Sequence, residues 1–382
     1  MNEQKLGQYS WKVSTQSITA WVTEKGGMMA PVEFRLPSGK TVEPYYVAPW
    51  YGEDREFYPP VLQPLRGDFF CLPFGADNEV ASESHEPHGE ASYASWKLLE
   101  LATDGDTRTL SLSLDYEACS GSITKHLRFS EAYPVVCTEH VLQGFSGRYP
   151  LGHHAILYGG DREGIWRIYT AAFDYGAIDP SFAEHSSGGE YYSLEAGARF
   201  ETLDRIPTRW KAEPDTDGSI FPARRGFIDL YAIYRRPPRE PQKRLAWTAA
   251  YNRDDHYLWF SVKDAAVLPA TVFWAENAGR HQAPWDGRNS CIGIEETCTY
   301  FASGRRESLH ENELNRQGIP TSVSLSPDSN AHIRTVQGVV ELPDEPDSVD
   351  ILTDAAGMIV CRINGTRIYP TGVQRSRALS SV

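Results

Sequence analysis

The residues from Phe273 to Tyr300, FWAENAGRHQAPWDGRNSCIGIEETCTY, hold the densest group of chemistry-capable side chains in the chain. Two runs within it read as strands, Ala270–Glu276 and Ser290–Tyr300, and their connection carries Arg280, His281, Trp285, Asp286 and Arg288. Loops of this kind are where binding groups concentrate. A rim of carboxylate, guanidinium and indole, here including Trp274 and Glu276, suits a polyhydroxylated ligand such as a sugar. In the second run, alternation puts Ile292, Ile294, Glu296, Cys298 and Tyr300 on one face and Gly293, Glu295, Thr297 and Thr299 on the other. Glu295 thus faces away from the isoleucines, and Gly293 beside it leaves room for a ligand. A bulge would exchange the roles of Glu295 and Glu296.

Histidines gather at His85 and His88 and again at His153 and His154. With a carboxylate, an imidazole can take one proton and supply another near neutral pH. The four histidines are too loosely spaced to read as a closed metal set, and no metal is expected. Each residue also has a structural reading. Glu295 can be an ordinary strand carboxylate, and periodicity does not choose between His153 and His154 for a site or a core role. Arg66 can brace a loop through Asp68 or Asp77 instead of touching a ligand. Trp96 reads as core, and Trp285 can cover a sheet end instead of stacking on a sugar. Glu276 and Asp286 can neutralise Arg280 and Arg288. If those arginines are free, their planar forks suit a carboxylate, sulfonate or phosphate. Arg288 is then the expected clamp, being nearer to Glu295.

Strands must position these groups. Tyr9–Val13, Ile18–Thr23 and Met28–Leu36 read as an antiparallel meander, followed by an aromatic loop, Val47–Pro60, that covers a sheet end. Further strands are expected at Trp96–Ala102, Thr107–Tyr116, Ser122–Phe129, Pro134–Gln143, Leu151–Gly159, Gly226–Arg235, Leu245–Asn252 and Tyr257–Lys263. The stretch Asp174–Gly218 has weak periodicity and reads as a loop-rich lid or rim. Only one helix is expected, from a capping box at Ser308 to a stop at Gly318. At 382 residues with 31 Gly and 25 Pro, the chain has length and turns enough for one large all-β architecture.

The net charge of -14 argues against nucleic acid and anionic membrane as partners. No apolar run is long enough to span a bilayer, and the first residues lack the order of a secretory signal, so a cytoplasmic location is expected. Six scattered cysteines without a CxxC read as reduced thiols. Asn364-Gly365-Thr366, a formal glycosylation acceptor, is then a chance match.

Taken in order, RGDFFCLPFG from Arg66, HGEASYASW from His88, LGHH from Leu151 and CIGIEE from Cys291 resemble the motifs of the aldose 1-epimerase (galactose mutarotase) superfamily. There a Gly-Phe-Pro-rich segment precedes an HG motif with a Trp eight residues after the His, as His88 and Trp96 stand here. The resemblance implies a β-supersandwich of large antiparallel sheets with a sugar site on a concave face. It implies Glu295 as the base at the anomeric hydroxyl, His154 as the acid at the ring oxygen and His88 as a sugar contact. Arg66, Glu276, Arg280, Trp285 and Arg288 complete the expected substrate-binding set. The sequence departs from the pattern at Ser92, where the HG motif often has arginine, and at Glu296-Thr297, where proline and glutamine often follow the base.

The implied activity is anomer interconversion of an aldose or aldose derivative, with no cofactor and a sugar, in one version anionic, as the partner. The alternative is a non-catalytic carbohydrate-binding protein on the same fold. A lyase or glycoside hydrolase fits less well, because on related sandwiches these commonly add helical domains. Residues 1–330 are expected to form the sandwich, with 331–382 as a C-terminal β extension packed on it.

Overall fold

A computed structural model describes residues 2–76, 78–160, 162–181 and 188–382. Two large antiparallel sheets, of twelve and nine strands, face each other across the main core, and a three-stranded sheet packs behind the second. The first sheet begins with the meander Gln8–Ser14, Ile18–Thr23 and Met29–Arg35. Its centre then draws strands from distant parts of the chain, in the spatial order Asp68–Cys71, Leu151–Tyr158, Ser290–Cys298, Ala270–Asn277 and Phe227–Tyr234. That order is what sets the separate sequence motifs side by side.

These central strands are buried on both faces, which explains why IGIEETC shows no clean alternation of burial. Toward the second sheet they present Ile292, Ile294 and Phe273, packed with Leu127, Val136 and Trp259. On the outer face Phe69, Ile156, Leu230 and Trp274 form a second apolar layer, capped by Trp50, Trp285 and Leu314 from loops and a short helix. Each such side chain contributes about 1.5–3 kcal/mol when fully buried, so the outer layer is anchored. Trp96 is core, and its indole N–H donates to the Ala91 carbonyl at 3.1 Å. All six cysteines are free thiols. Among the described residues no helix is long and apolar enough to cross a membrane.

Three expectations need correction. The helix is two short ones, Arg305–Leu309 and Glu313–Arg316. The capping box belongs to Asn312, whose side chain accepts from Leu314 and Asn315 while Asn315 caps it in return; the Ser308 hydroxyl instead accepts from the Tyr300 N–H. The described residues of 174–218 include paired strands where a loop-rich lid or rim is expected: Tyr175–Ile178 joins the first sheet, and Ile206–Trp210 pairs with Glu213–Thr216. Ala331–Glu341 is no appendage, since it pairs on both sides inside the nine-stranded sheet, and only Val349–Gln374 forms the separate three-stranded layer.

Candidate active site

On the outer face of the first sheet, His154 stands directly opposite Glu295 on the neighbouring strand and directly opposite Phe69 on its other side. Side chains so paired share a face about 5 Å apart. His154 Nε2 lies 3.2 Å from Glu295 Oε1, and the Phe69 ring stacks on the imidazole at 4.6 Å and 17°. The register contains no bulge here, so alternation holds: Glu295 and His154 face outward while Glu296 and His153 face the other sheet. Gly293 makes the room expected of it, but Glu295 takes that room. A Cβ on residue 293 would overlap Glu295 Oε1, so the glycine lets the carboxylate fold back toward its own strand.

His88 reaches the same place from a loop. Its backbone is in the left-handed region at φ 65°, held by an N–H bond to the Gly75 carbonyl at 2.9 Å. Gly89, also left-handed, packs so tightly on the Leu72 carbonyl that any side chain would collide with it. The HG pair is therefore a tight turn that aims the histidine at Phe74 and His154, whose rings it meets edge-on at 5.2 Å each. Ser92 is buried, and its hydroxyl donates to the Gly89 carbonyl at 2.8 Å, bracing that turn.

His88, His154 and Glu295 line one cavity of about 380 Å³, within the range of small-molecule sites, together with Trp274, Arg280 and Trp285. Burial pushes the Glu295 carboxyl well above the usual carboxylate range. Burial also lowers the His154 imidazole well below its ordinary value, helped by His88. His88 is lowered to about 4, again by burial and then by Arg280. Burial thus disfavours the charged form of each member of the Glu295–His154 pair.

Other expected residues lie elsewhere. Arg66 is buried away from the cavity, and its guanidinium donates to the carbonyls of Pro64, Leu6 and Lys5, spending its donors on backbone and not on Asp68. Its other proposed partner, Asp77, lies outside the described residues. Arg288 is drawn outward by Glu53 at 2.5 Å and Asp286 at 3.6 Å and lines a different cavity, so it is no clamp on this site. Glu276 shares the outer face but caps the following loop, accepting from the N–H groups of Gly279 and Arg280 at 2.8 and 3.3 Å. Arg280 does line the cavity, over Trp285 at 4.8 Å and with Nε 3.2 Å from Glu190.

Sequence reasoning left Phe69, Tyr58, Glu190 and Gln282 out of the site. Trp274 was on the expected rim without a role, although it shares the face of Glu276 and stands opposite Gly293. Among the described residues one cluster has metal-ligand chemistry, Glu83, His85 and Cys119, apart from the cavity. Glu83 already contacts His85 at 2.6 Å and pairs with Arg305 at 2.9 Å there.

No protein-family model and no curated protein matches this sequence. Solved structures do. A galactose mutarotase-like protein from Clostridium acetobutylicum superposes with a TM-score of 0.59 at 12% identity, over 90% of this chain and 98% of that one. An aldose epimerase homologue from C. elegans gives 0.54 at 12% identity, over 87% and 99%. A galactose mutarotase related enzyme from Lactobacillus acidophilus gives 0.52 at 9% identity, over 88% and 99%. At such identities the likeness is one of fold: this chain is an all-β, galactose mutarotase-like sandwich.

Proposed function

We propose that this protein interconverts the anomers of an aldose or aldose derivative by opening and reclosing its cyclic hemiacetal. The observation that carries the reading is the direct Glu295–His154 contact, 3.2 Å, inside a cavity also lined by a histidine and two tryptophans. Ring opening breaks C1–O5 and forms the C1=O1 carbonyl, so one proton must leave O1 and another must reach O5. The pair first shifts one proton from Glu295 Oε1 to His154 Nε2 across their 3.2 Å contact; Glu295, then ionised, takes the proton of O1, and His154, then protonated, gives its own to O5. The pair is then left as carboxylic acid and neutral imidazole, the state that burial favours, so the open-chain intermediate is matched to the site's low-charge form. Rotation about C1–C2 and reversal of the two transfers close either anomer, with no net proton gained or lost. Neutral His88, whose buried Nδ1 has no hydrogen-bond partner among the described residues, and Arg280 meet ring hydroxyls.

A second reading, a binding protein without catalysis, draws support from the same pair. Glu295 and His154 are only 1% and 6% exposed and are bonded to each other, and Ser92 supplies no arginine. One experiment separates the two. Anomer exchange is followed by NMR on glucose, galactose and their derivatives, and binding by calorimetry. Glu295→Gln is expected to keep sugar binding while slowing exchange by on the order of a hundredfold or more. A wild type that binds an aldose without accelerating exchange overturns the catalytic reading in favour of the binding one.

A further inference from the structure

Tyr58 differs from every other aromatic on the cavity wall. It is 78% exposed, and neither its ring nor its hydroxyl has a partner among the described residues. The loop that carries it is nonetheless anchored. Trp50 is fully buried, its indole N–H donates to the Leu62 carbonyl at 2.7 Å, and its ring meets Trp285 at 4.8 Å. The turn Pro60–Leu62 follows at once. A lone exposed aromatic on a plain surface asks for no explanation, but this one is held at the open end of the cavity whose inner end is Glu295 and His154. The exposed Gln282 shares that open end, with its side-chain Nε2 donating to Glu190 at 2.6 Å.

We infer that Tyr58 and Gln282 form a second sugar subsite at the cavity mouth, so that the ligand is the reducing end of a 4-linked oligosaccharide. The inference rests on the proposed function, because it is the hemiacetal carbon C1 that must reach Glu295 and His154. In a pyranose C4 lies across the ring from C1. With C1 at the buried pair, O4 points out of the cavity, and a ring joined there arrives at Tyr58. Its C–H face stacks on the phenol ring and its hydroxyls meet Gln282. A ring joined at O2 would instead lie beside C1, against the packed floor.

Exchange and binding are measured for glucose, maltose, cellobiose and sophorose with the wild type, Tyr58→Ala and Tyr58→Phe. Maltose or cellobiose is expected to exceed glucose about tenfold in kcat/KM, the scale of one good aromatic contact. Sophorose, which is 2-linked, is expected to show no gain. Tyr58→Ala should erase the preference, and Tyr58→Phe should keep it. Equal binding of maltose and glucose overturns the subsite, as does a preference that survives Tyr58→Ala. The methyl glycosides of maltose and glucose, which cannot open, separate this failure from that of the catalytic reading. If they bind with the Tyr58-dependent preference while no sugar exchanges, the subsite stands and catalysis falls. If exchange depends on Glu295 but shows no such preference, catalysis stands and the subsite falls.

Discussion

The strands Leu151–Tyr158 and Ser290–Cys298 present the same two residue types twice, once to each side of the sheet. Outward, His154 faces Glu295; inward, the adjacent His153 faces Glu296. The inner pair is divided between other partners. Glu296 bonds the Lys263 ammonium, which comes from the second sheet, and the Thr271 hydroxyl at 2.8 Å. His153 Nδ1 lies 3.3 Å from Asp68. Among the described residues the outer pair has no ion-pair partner beyond itself, with the Phe69 ring on one side and the cavity on the other. A buried carboxylate must be paired or neutralised, since an isolated charge costs several kcal/mol. Inside, a fixed cation does this, and the proton is out of reach of any ligand. Outside, the two groups have each other, beside a cavity open to a ligand. Residue type is the same on both faces; the counter-charge decides which face can react.

The largest effect expected from this contrast is on stability. Lys263→Met leaves Glu296 buried and unpaired, and should cost about 3–5 kcal/mol, the usual scale for breaking a buried pair from one side. Burial already lowers the Lys263 ammonium below its ordinary value, and the attraction of Glu296 opposes that shift. Adding Glu296→Met should recover most of the loss, because a matched apolar pair fits a dry layer. Urea unfolding measures both. Glu295→Gln is expected to do the reverse, leaving the unfolding midpoint nearly unchanged while exchange collapses. Equal stability losses at 295 and 296 would break the comparison.

Glu276 sharpens it as a third buried glutamate, with two backbone N–H donors but no counter-ion bonded to it. Burial pushes its carboxyl up to about 7, eased by the nearby Arg280. The folded state therefore holds the proton more tightly than the unfolded chain, whose carboxyl has the ordinary value of 4.5. Its contribution is full below pH about 4.5 and is lost as pH rises through about 7, a total on the order of 3 kcal/mol. Measured against Glu276→Gln, which cancels all other titrating groups, wild-type stability should decline across that window. A flat difference curve would mean that the carboxylate is ionised in the fold throughout.

Much of this arrangement was legible in the sequence. β-Branched and aromatic runs marked many of the strands within one or two residues, because burial in a sheet selects those side chains, while Trp166–Thr170 and the first half of Ala331–Glu341 went unmarked. Alternation alone separated Glu295 from Glu296. It did not separate His153 from His154, since the frame of that strand depends on pairing with Asp68–Cys71 and Ser290–Cys298, remote in the chain. Arginines were the least legible. Arg66 and Arg288 have long side chains whose direction follows whichever carbonyl or carboxylate is in reach, and no periodicity encodes that. Glu190 comes from a stretch without a pattern and meets Arg280 only through the fold. Gly293 was read correctly as space, but not as space for the neighbouring carboxylate.

The smallest expected effect concerns ligand charge, and it turns on the same rule of counter-charges. Arg288 is paired with Glu53 and Asp286 beside another cavity, so a preference for anionic sugars can run only through Arg280 among the arginines of the site. Arg280 is itself half-committed. Its Nε meets Glu190, and its plane lies over two indoles, at 4.8 Å from Trp285 and 5.8 Å from Trp274. Glu190 is shared in turn with Gln282 at 2.6 Å and with the Tyr192 hydroxyl. With its charge partly answered and partly exposed, Arg280 should favour glucuronic acid over glucose by no more than about threefold, shrinking at high salt. Glu190→Gln removes the competing carboxylate and should raise the preference to about tenfold, while Arg288→Ala should leave it unchanged. Calorimetry on the two sugars at low and high salt measures all three. A preference that Arg288→Ala abolishes and Glu190→Gln leaves alone would put the anion in the other cavity and end the role of Arg280.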